Sequence, residues 1–103
     1  MALLLMAAAC SGGEAEKDET PYERGEKIYN NVCIACHAAD PSQIGTLGPP
    51  IAGSSRKLIE YRVLRGTYPP GYEPKRASRT MPQFPHLEEF IDDLAAYLAV
   101  AGS

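Results

Sequence analysis

Cys33, Ile34, Ala35, Cys36 and His37 bring two thiols and an imidazole into five residues. The pattern C-x-x-C-H is the attachment signal for c-type haem. Positions three and four apart share one face of a helical turn. Cys33 and Cys36 therefore reach the vinyl groups at one haem edge as two thioethers, and His37 turns its imidazole under the iron as the proximal ligand. The competing use of these atoms is a zinc module built on Cys33, Cys36, His37 and one further ligand. It lacks a second C-x-x-C or H-x-H pair, and zinc does not require the His directly after the second Cys.

A proximal His leaves one more axial position. With the apolar N-terminal run set aside, Met81 is the only methionine, and His86 is the only histidine besides His37. Met81 lies in Arg79-Thr80-Met81-Pro82, and Pro82 biases it toward an extended backbone. That suits a thioether projected from a loop; the ordinary alternative is a hydrophobic gap filler. His86, in Pro85-His86-Leu87, reads as a polar residue at a helix start and is the second candidate ligand. A ligating His usually donates its other ring N–H to a carbonyl or carboxylate. The rigid Gly48-Pro49-Pro50 segment offers such a carbonyl, or is a plain loop.

Helices must position these groups. Thr20, Pro21 and Glu23 form a T-x-x-E capping box with Pro at the first helical position. The helix that follows carries an apolar stripe of Ile28, Tyr29 and Val32 leading into Cys33, with Gly25 one turn earlier. A second helix is predicted over residues 55–65, capped by Ser54 or Ser55 and stopped by Gly66. Leu58, Ile59, Val63 and Leu64 are its apolar positions, less cleanly grouped. In the last helix Leu87, Phe90, Ile91, Leu94, Tyr97 and Leu98 recur at helical spacing. Glu88, Glu89, Asp92 and Asp93 crowd its N-terminal half, where the macrodipole favours them, and Gly102 closes it. No segment alternates as a strand, and no internal repeat is visible.

A chain of 103 residues is one small domain. A large apolar cofactor is a natural core filler at this size. Nine Pro and nine Gly imply long irregular loops between few helices. The net charge of −3 argues against nucleic-acid binding. Seven of the ten basic residues fall within 54–80: Arg56, Lys57, Arg62, Arg65, Lys75, Arg76 and Arg79. They form a solvated face, or one or two of them pair with haem propionates or meet an acidic redox partner.

Residues 1–9 are apolar and too few to span a bilayer, which takes about 20. They read as the remnant of a signal peptide. Ala7-Ala8-Ala9-Cys10 resembles the small-residue box before the lipidated Cys of bacterial lipoproteins, with Ala7 where Leu is commoner and no basic residue ahead. Ordinary cleavage just before Cys10 also fits. Residues 10–20 are then a lipidated Cys and an acidic tether with too little apolar surface to order, and residues 21–103 are the folded domain.

Over about residues 22–101 the chain resembles the class I monohaem cytochromes c of the short bacterial type. The likeness rests on the helix running into Cys33–His37, on Gly48-Pro49-Pro50-Ile51-Ala52-Gly53, on Met81-Pro82, and on Asp93-Leu94-Ala95-Ala96-Tyr97-Leu98, in the family's order. The resemblance implies an all-α fold of three to four helices wrapped around one covalently attached haem. The first and last helices would cross at Gly25, opposite Tyr97. It implies that the Pro49 carbonyl takes the His37 N–H, and that Ile51 packs on the haem in place of the commoner Leu. The expected function is electron transfer by a single haem ligated by His37 and Met81, with no catalysis of its own. The expected protein is a monomer that shuttles electrons between membrane-associated redox proteins. It would lie on the periplasmic side of a bacterial membrane, held by lipid on Cys10 or soluble if Cys10 carries none. The alternative is a gas-binding or sensing haem protein with a displaceable Met81.

Overall fold

The computed structural model of the chain describes residues 19–75 and 81–101. The leader, Cys10, the tether through residue 18, Arg76, Arg79 and Gly102 lie outside the described residues. Among the described residues every regular element is helical and none is a strand. The fold is that of a small all-α cytochrome c.

Helix α1 spans Pro21–Val32. The Thr20 hydroxyl accepts from the Glu23 N–H at 3.1 Å, and the Glu23 carboxylate accepts from the Thr20 N–H at 3.0 Å. Such a cap contributes about 0.5–2 kcal/mol. Glu19, at the end of the tether segment, lies against this helix. Its carbonyl accepts from Arg24 Nη1 at 2.7 Å, and its carboxylate pairs with Lys27. At its far end α1 tightens into a 3-10 turn over Cys33–Ala35.

Helix α2 spans Arg56–Glu60, with the Ser55 hydroxyl accepting from the Leu58 N–H at 3.1 Å. The sequence predicts one continuous helix here, but the second half, Tyr61–Arg65, is wound as a π-helical turn. The wider winding moves the face that each side chain occupies. That accounts for the loose grouping of the apolar positions. Gly66 ends the element at φ 69°, a conformation in which a Cβ is penalised.

Helix α3 spans Ile91–Ala101 and is preceded by a 3-10 turn over Pro85–Phe90. The periodicity predicts a single helix from Leu87. Pro85 supplies no N–H at its start, and a tight turn is a common way into a helix.

Helices α1 and α3 pack closely. A Cβ placed on Gly25 would stand 2.6 Å from the Asp93 carbonyl carbon and 2.9 Å from Tyr97 Cβ. Only a residue with no side chain allows this crossing. The Tyr97 ring lies against Tyr22 and Tyr29 of α1, with centroids at 5.2 and 5.4 Å. Asp93 is 8% exposed, and Arg24 reaches its two carboxylate oxygens at 3.2 and 3.3 Å. Ile59, Val63, Leu87, Ile91, Leu94 and Leu98 complete the core with Tyr29 and Tyr97.

Candidate functional site

The 3-10 turn after α1 holds the two thiols. The Cys33 carbonyl accepts from the N–H groups of Cys36 at 3.2 Å and His37 at 2.9 Å. This tight winding keeps both cysteines and the imidazole on one cavity wall. Burial, and then the neighbouring Cys36, pushes the Cys33 thiol from 9.0 up to about 11. A dithiol built for exchange chemistry requires the opposite shift, toward the thiolate.

The segment after His37 folds back on it. The Cys36 carbonyl accepts from the N–H groups of Leu47 at 3.0 Å and Gly48 at 2.9 Å. A Cβ on Gly48 would stand 2.5 Å from His37 Nδ1, so glycine here makes room for the ring. The next residue supplies its partner: His37 Nδ1 lies 2.9 Å from the Pro49 carbonyl oxygen. A carbonyl only accepts, so Nδ1 carries the proton. Nε2 then carries the lone pair that a metal takes. The Pro41 carbonyl pins the following stretch by accepting from Ile51 N–H at 2.8 Å and Ala52 N–H at 3.0 Å. Tyr29, wholly buried, donates its hydroxyl to the Ala38 carbonyl at 2.5 Å and fixes the chain just past the imidazole. Burial, with Cys33 and Tyr97 adding, pushes that hydroxyl up to about 12.

Met81 is positioned from the other side. The Phe84 N–H donates to the Val63 carbonyl of the π turn at 2.7 Å, and the Gln83 amide donates to the Arg65 carbonyl at 2.6 Å. A Cβ on Gly66 would meet Gln83 Cγ at 3.1 Å, so the segment 81–84 lies close along the end of α2.

These walls enclose one cavity of about 580 Å³, within the roughly 300–1,000 Å³ of cofactor pockets. It brings together Cys33, Cys36, His37, Pro49, Ile51 and Met81. His86 is exposed on the 3-10 turn and is not among the cavity residues. The rest of the lining is mostly apolar, with Leu58 and Ile59 from α2, Val63 from the π turn, and Leu94 and Leu98 from α3. Two thiols at one wall, an imidazole with its tautomer fixed, a thioether and an apolar interior of this size fit a haem. The groups fit zinc less well: among the described residues no three His, Cys, Asp or Glu side chains cluster as a metal site.

The family described as "Cytochrome C oxidase, cbb3-type, subunit III" matches residues 20–98. The chain belongs to this cytochrome c family. Membership implies haem c and makes the domain an electron carrier, not an enzyme. The cytochrome bc1 complex cytochrome c subunit of Mycobacterium leprae is 26% identical over 113 aligned positions, covering 97% of this chain and 38% of the relative. The protein of that name from Mycobacterium tuberculosis is 25% identical, with 97% and 40% covered. The chain thus spans about two-fifths of the length of these curated relatives. No solved structure matches it.

Several further residues line the cytochrome's cavity; the sequence marks Tyr68-Pro69-Pro70-Gly71-Tyr72 only as resembling the loop before the Met ligand of some relatives, and Arg62 and Lys75 only as members of the basic stretch. Tyr68 and Tyr72 both line it and stack on each other with centroids 5.3 Å apart. Arg62 lines it too, its guanidinium 4.1 Å above the Tyr68 ring. Lys75 lines it and donates to the Pro50 carbonyl at 2.7 Å. The basic stretch contained both cations but did not separate them from Arg56, which pairs with Asp92 and Glu60 at the surface. The role of the Tyr29 hydroxyl had no sequence signal beyond its place in the stripe.

Proposed function

We propose that this domain carries one electron at a time on a single haem c, attached through Cys33 and Cys36 and ligated by His37 and Met81. The observation that carries the reading is the 2.9 Å contact between His37 Nδ1 and the Pro49 carbonyl, in a cavity lined by both cysteines and by Met81. When bound, haem supplies an iron that cycles between Fe(II) and Fe(III). Cys33 and Cys36 would hold the haem through one thioether each. That linkage keeps the group in place whenever a partner docks. The Pro49 carbonyl orients the imidazole and raises its basicity. The Met81 thioether is soft and favours Fe(II), and the apolar lining disfavours extra positive charge; both raise the potential. Two protein ligands leave no coordination site for a substrate. Arg62 and Lys75, both on the cavity lining, would supply positive charge to haem propionates.

The membrane setting belongs to the same proposal. The relatives are named as subunits of a cytochrome bc1 complex, and the family as an oxidase subunit. We read the domain as passing electrons to or from a membrane-bound respiratory complex, anchored by lipid on Cys10 at the periplasmic face. Among the described residues no helix is long and apolar enough to cross a membrane.

The test is a visible spectrum of the oxidised, haem-loaded protein before and after Met81→Ala. A weak charge-transfer band near the red edge reports the sulfur–iron bond and should vanish in the variant. A parent protein without that band refutes the ligand assignment. Rapid carbon monoxide binding by the reduced parent at neutral pH would favour gas sensing instead.

A further inference from the structure

Residues 66–75 run on from the π turn, and Tyr68, Tyr72 and Lys75 of this strap line the cavity. Met81 follows six residues after Lys75. The strap is fastened differently at its two ends. At the α2 end the bonds are main chain: Gly66 N–H donates to the Arg62 carbonyl and Thr67 N–H to the Tyr61 carbonyl, both at 3.2 Å. Arg62 adds a bond from Nη1 to the Gly66 carbonyl at 2.9 Å, below the guanidinium contact with Tyr68. The middle is stiff. Tyr72 N–H donates to the Pro69 carbonyl at 3.1 Å, with Pro70 and Gly71 between them and Gly71 at φ 83°. Proline presets the second position of such a turn, and glycine takes the third without strain. The Tyr68 and Tyr72 rings, with planes 8° apart, stack across its base.

The far end hangs on a side chain. Lys75 is exposed, and its ammonium donates to the Pro50 carbonyl at 2.7 Å. The neighbouring residue, Pro49, supplies the carbonyl that holds His37. Lys75 therefore joins the chain that leads to Met81 with the loop that orients the imidazole. After Met81, Gln83 and Phe84 are bonded to the π turn. The α2 end of the strap and the residues after Met81 are thus tied to one element, and the Lys75 end is tied to the opposite wall. A lysine stem releases its partner by rotating about its own bonds, whereas a main-chain bond breaks only when the backbone moves.

We infer that Lys75 is a positioning residue that clasps the strap to Pro50 and so keeps Met81 on the iron, and that release of this clasp admits a small neutral heteroaromatic base to the metal. The inference rests on the haem reading above. It goes beyond the charge that Lys75 would lend to propionates, because an ammonium has three N–H donors and one of them goes to main chain. A ligand that binds only the unclasped form has an apparent affinity proportional to the fraction unclasped.

The probe is imidazole, added to the oxidised, haem-loaded protein at neutral pH and followed by loss of the sulfur–iron charge-transfer band. Lys75→Leu keeps an apolar stem and removes the ammonium. It should raise the apparent imidazole affinity about tenfold, the size of one charge-assisted hydrogen bond at an exposed site. Lys75→Arg keeps donor and charge and should restore the parent affinity to within about twofold. Lys57→Gln removes the same unit of charge from an exposed site on α2 and should leave the affinity unchanged. Parent-like affinity in Lys75→Leu, even with a shifted reduction potential, overturns the clasp alone. An equal gain in Lys57→Gln does the same, since charge and not the bond would then control entry. A parent protein without haem or without the sulfur–iron band overturns the underlying reading, and the clasp with it.

Discussion

Gly25→Ala tests the crossing on which the fold depends. An added methyl would sit 2.6 Å from the Asp93 carbonyl carbon and 2.9 Å from Tyr97 Cβ. Carbon atoms in contact want about 3.5–4.0 Å. Relief requires α1 and α3 to part by roughly 1 Å, because the nearest obstacle is main chain and no rotamer change removes it. Overpacking of this kind costs about 1–3 kcal/mol. Separation also loosens the Tyr22–Tyr97 and Tyr29–Tyr97 contacts, worth about 0.5–1.5 kcal/mol each. Better helix propensity returns about 1 kcal/mol. The expected net loss is about 2–4 kcal/mol, which lowers Tm by roughly 10–30 °C in a domain of this size. Guanidinium unfolding followed by far-UV circular dichroism measures it. Asn30→Ala, at an exposed site of the same helix, is the control and should be neutral or slightly stabilising. A Gly25→Ala protein as stable as its parent would refute the close crossing.

Four further perturbations separate the contributions around this crossing and the site. Asp93→Ala leaves Arg24 without its carboxylate and should cost about 1–3 kcal/mol by the same unfolding assay. Arg56→Ala opens only the surface pairs with Asp92 and Glu60, so its smaller loss should disappear in high salt. Tyr29→Phe strands the Ala38 carbonyl and should cost about 1–3 kcal/mol at neutral pH. In the parent, the Tyr29 pKa is about 12 folded against 10.0 unfolded, so the unfolded chain gives up its proton first. The tyrosine's contribution is therefore complete below pH 10 and is lost as pH rises toward 12, a slope that Tyr29→Phe should lack in unfolding midpoints across that range. Gly48→Ala, which puts a Cβ 2.5 Å from His37 Nδ1, should reduce haem incorporation in the purified protein while leaving the far-UV spectrum unchanged.

Much of this arrangement was legible in the sequence because its signals are local. The Thr20–Glu23 box, the Ser55 cap and the Gly66 stop each depend on residues within one turn, and the structure forms all three. The cavity residues Cys33, Cys36, His37 and Met81 could be nominated by type and spacing alone. What resisted reading is long-range or conformational. The π winding of Tyr61–Arg65 has no composition of its own, and the hydrogen bonds that the Val63 and Arg65 carbonyls accept from Phe84 and Gln83 join residues 18 or more apart in sequence. Asp93 looked like one of four dipole-matching acids, and only the approach of α1 sets it apart as the partner of Arg24. Arg62 and Lys75 could not be told from their basic neighbours until the loop 66–75 was folded over the cavity.

An electron carrier must hold its metal ligands still through a change of charge, yet His37 and Met81, the ligands we propose, both stand on loops. The loops are fixed from two independent directions. On the imidazole side, carbonyls of Cys36 and Pro41 gather the N–H groups of Leu47, Gly48, Ile51 and Ala52, and the Gly53 N–H donates to Leu98 of α3 at 2.8 Å. That side is therefore tied to the α1–α3 crossing. On the thioether side, Phe84 and Gln83 are bonded to carbonyls of the π turn, so Met81 is registered to α2. Few of these contacts need a large hydrophobic core. They satisfy backbone groups that any loop must satisfy, and they do so at the residues flanking His37 and Met81. The economy follows from size: a chain this short cannot bury enough apolar surface to hold long loops by packing. Main-chain hydrogen bonds at the ligand loops supply the rigidity that packing supplies elsewhere, and the cavity between them is left for the cofactor.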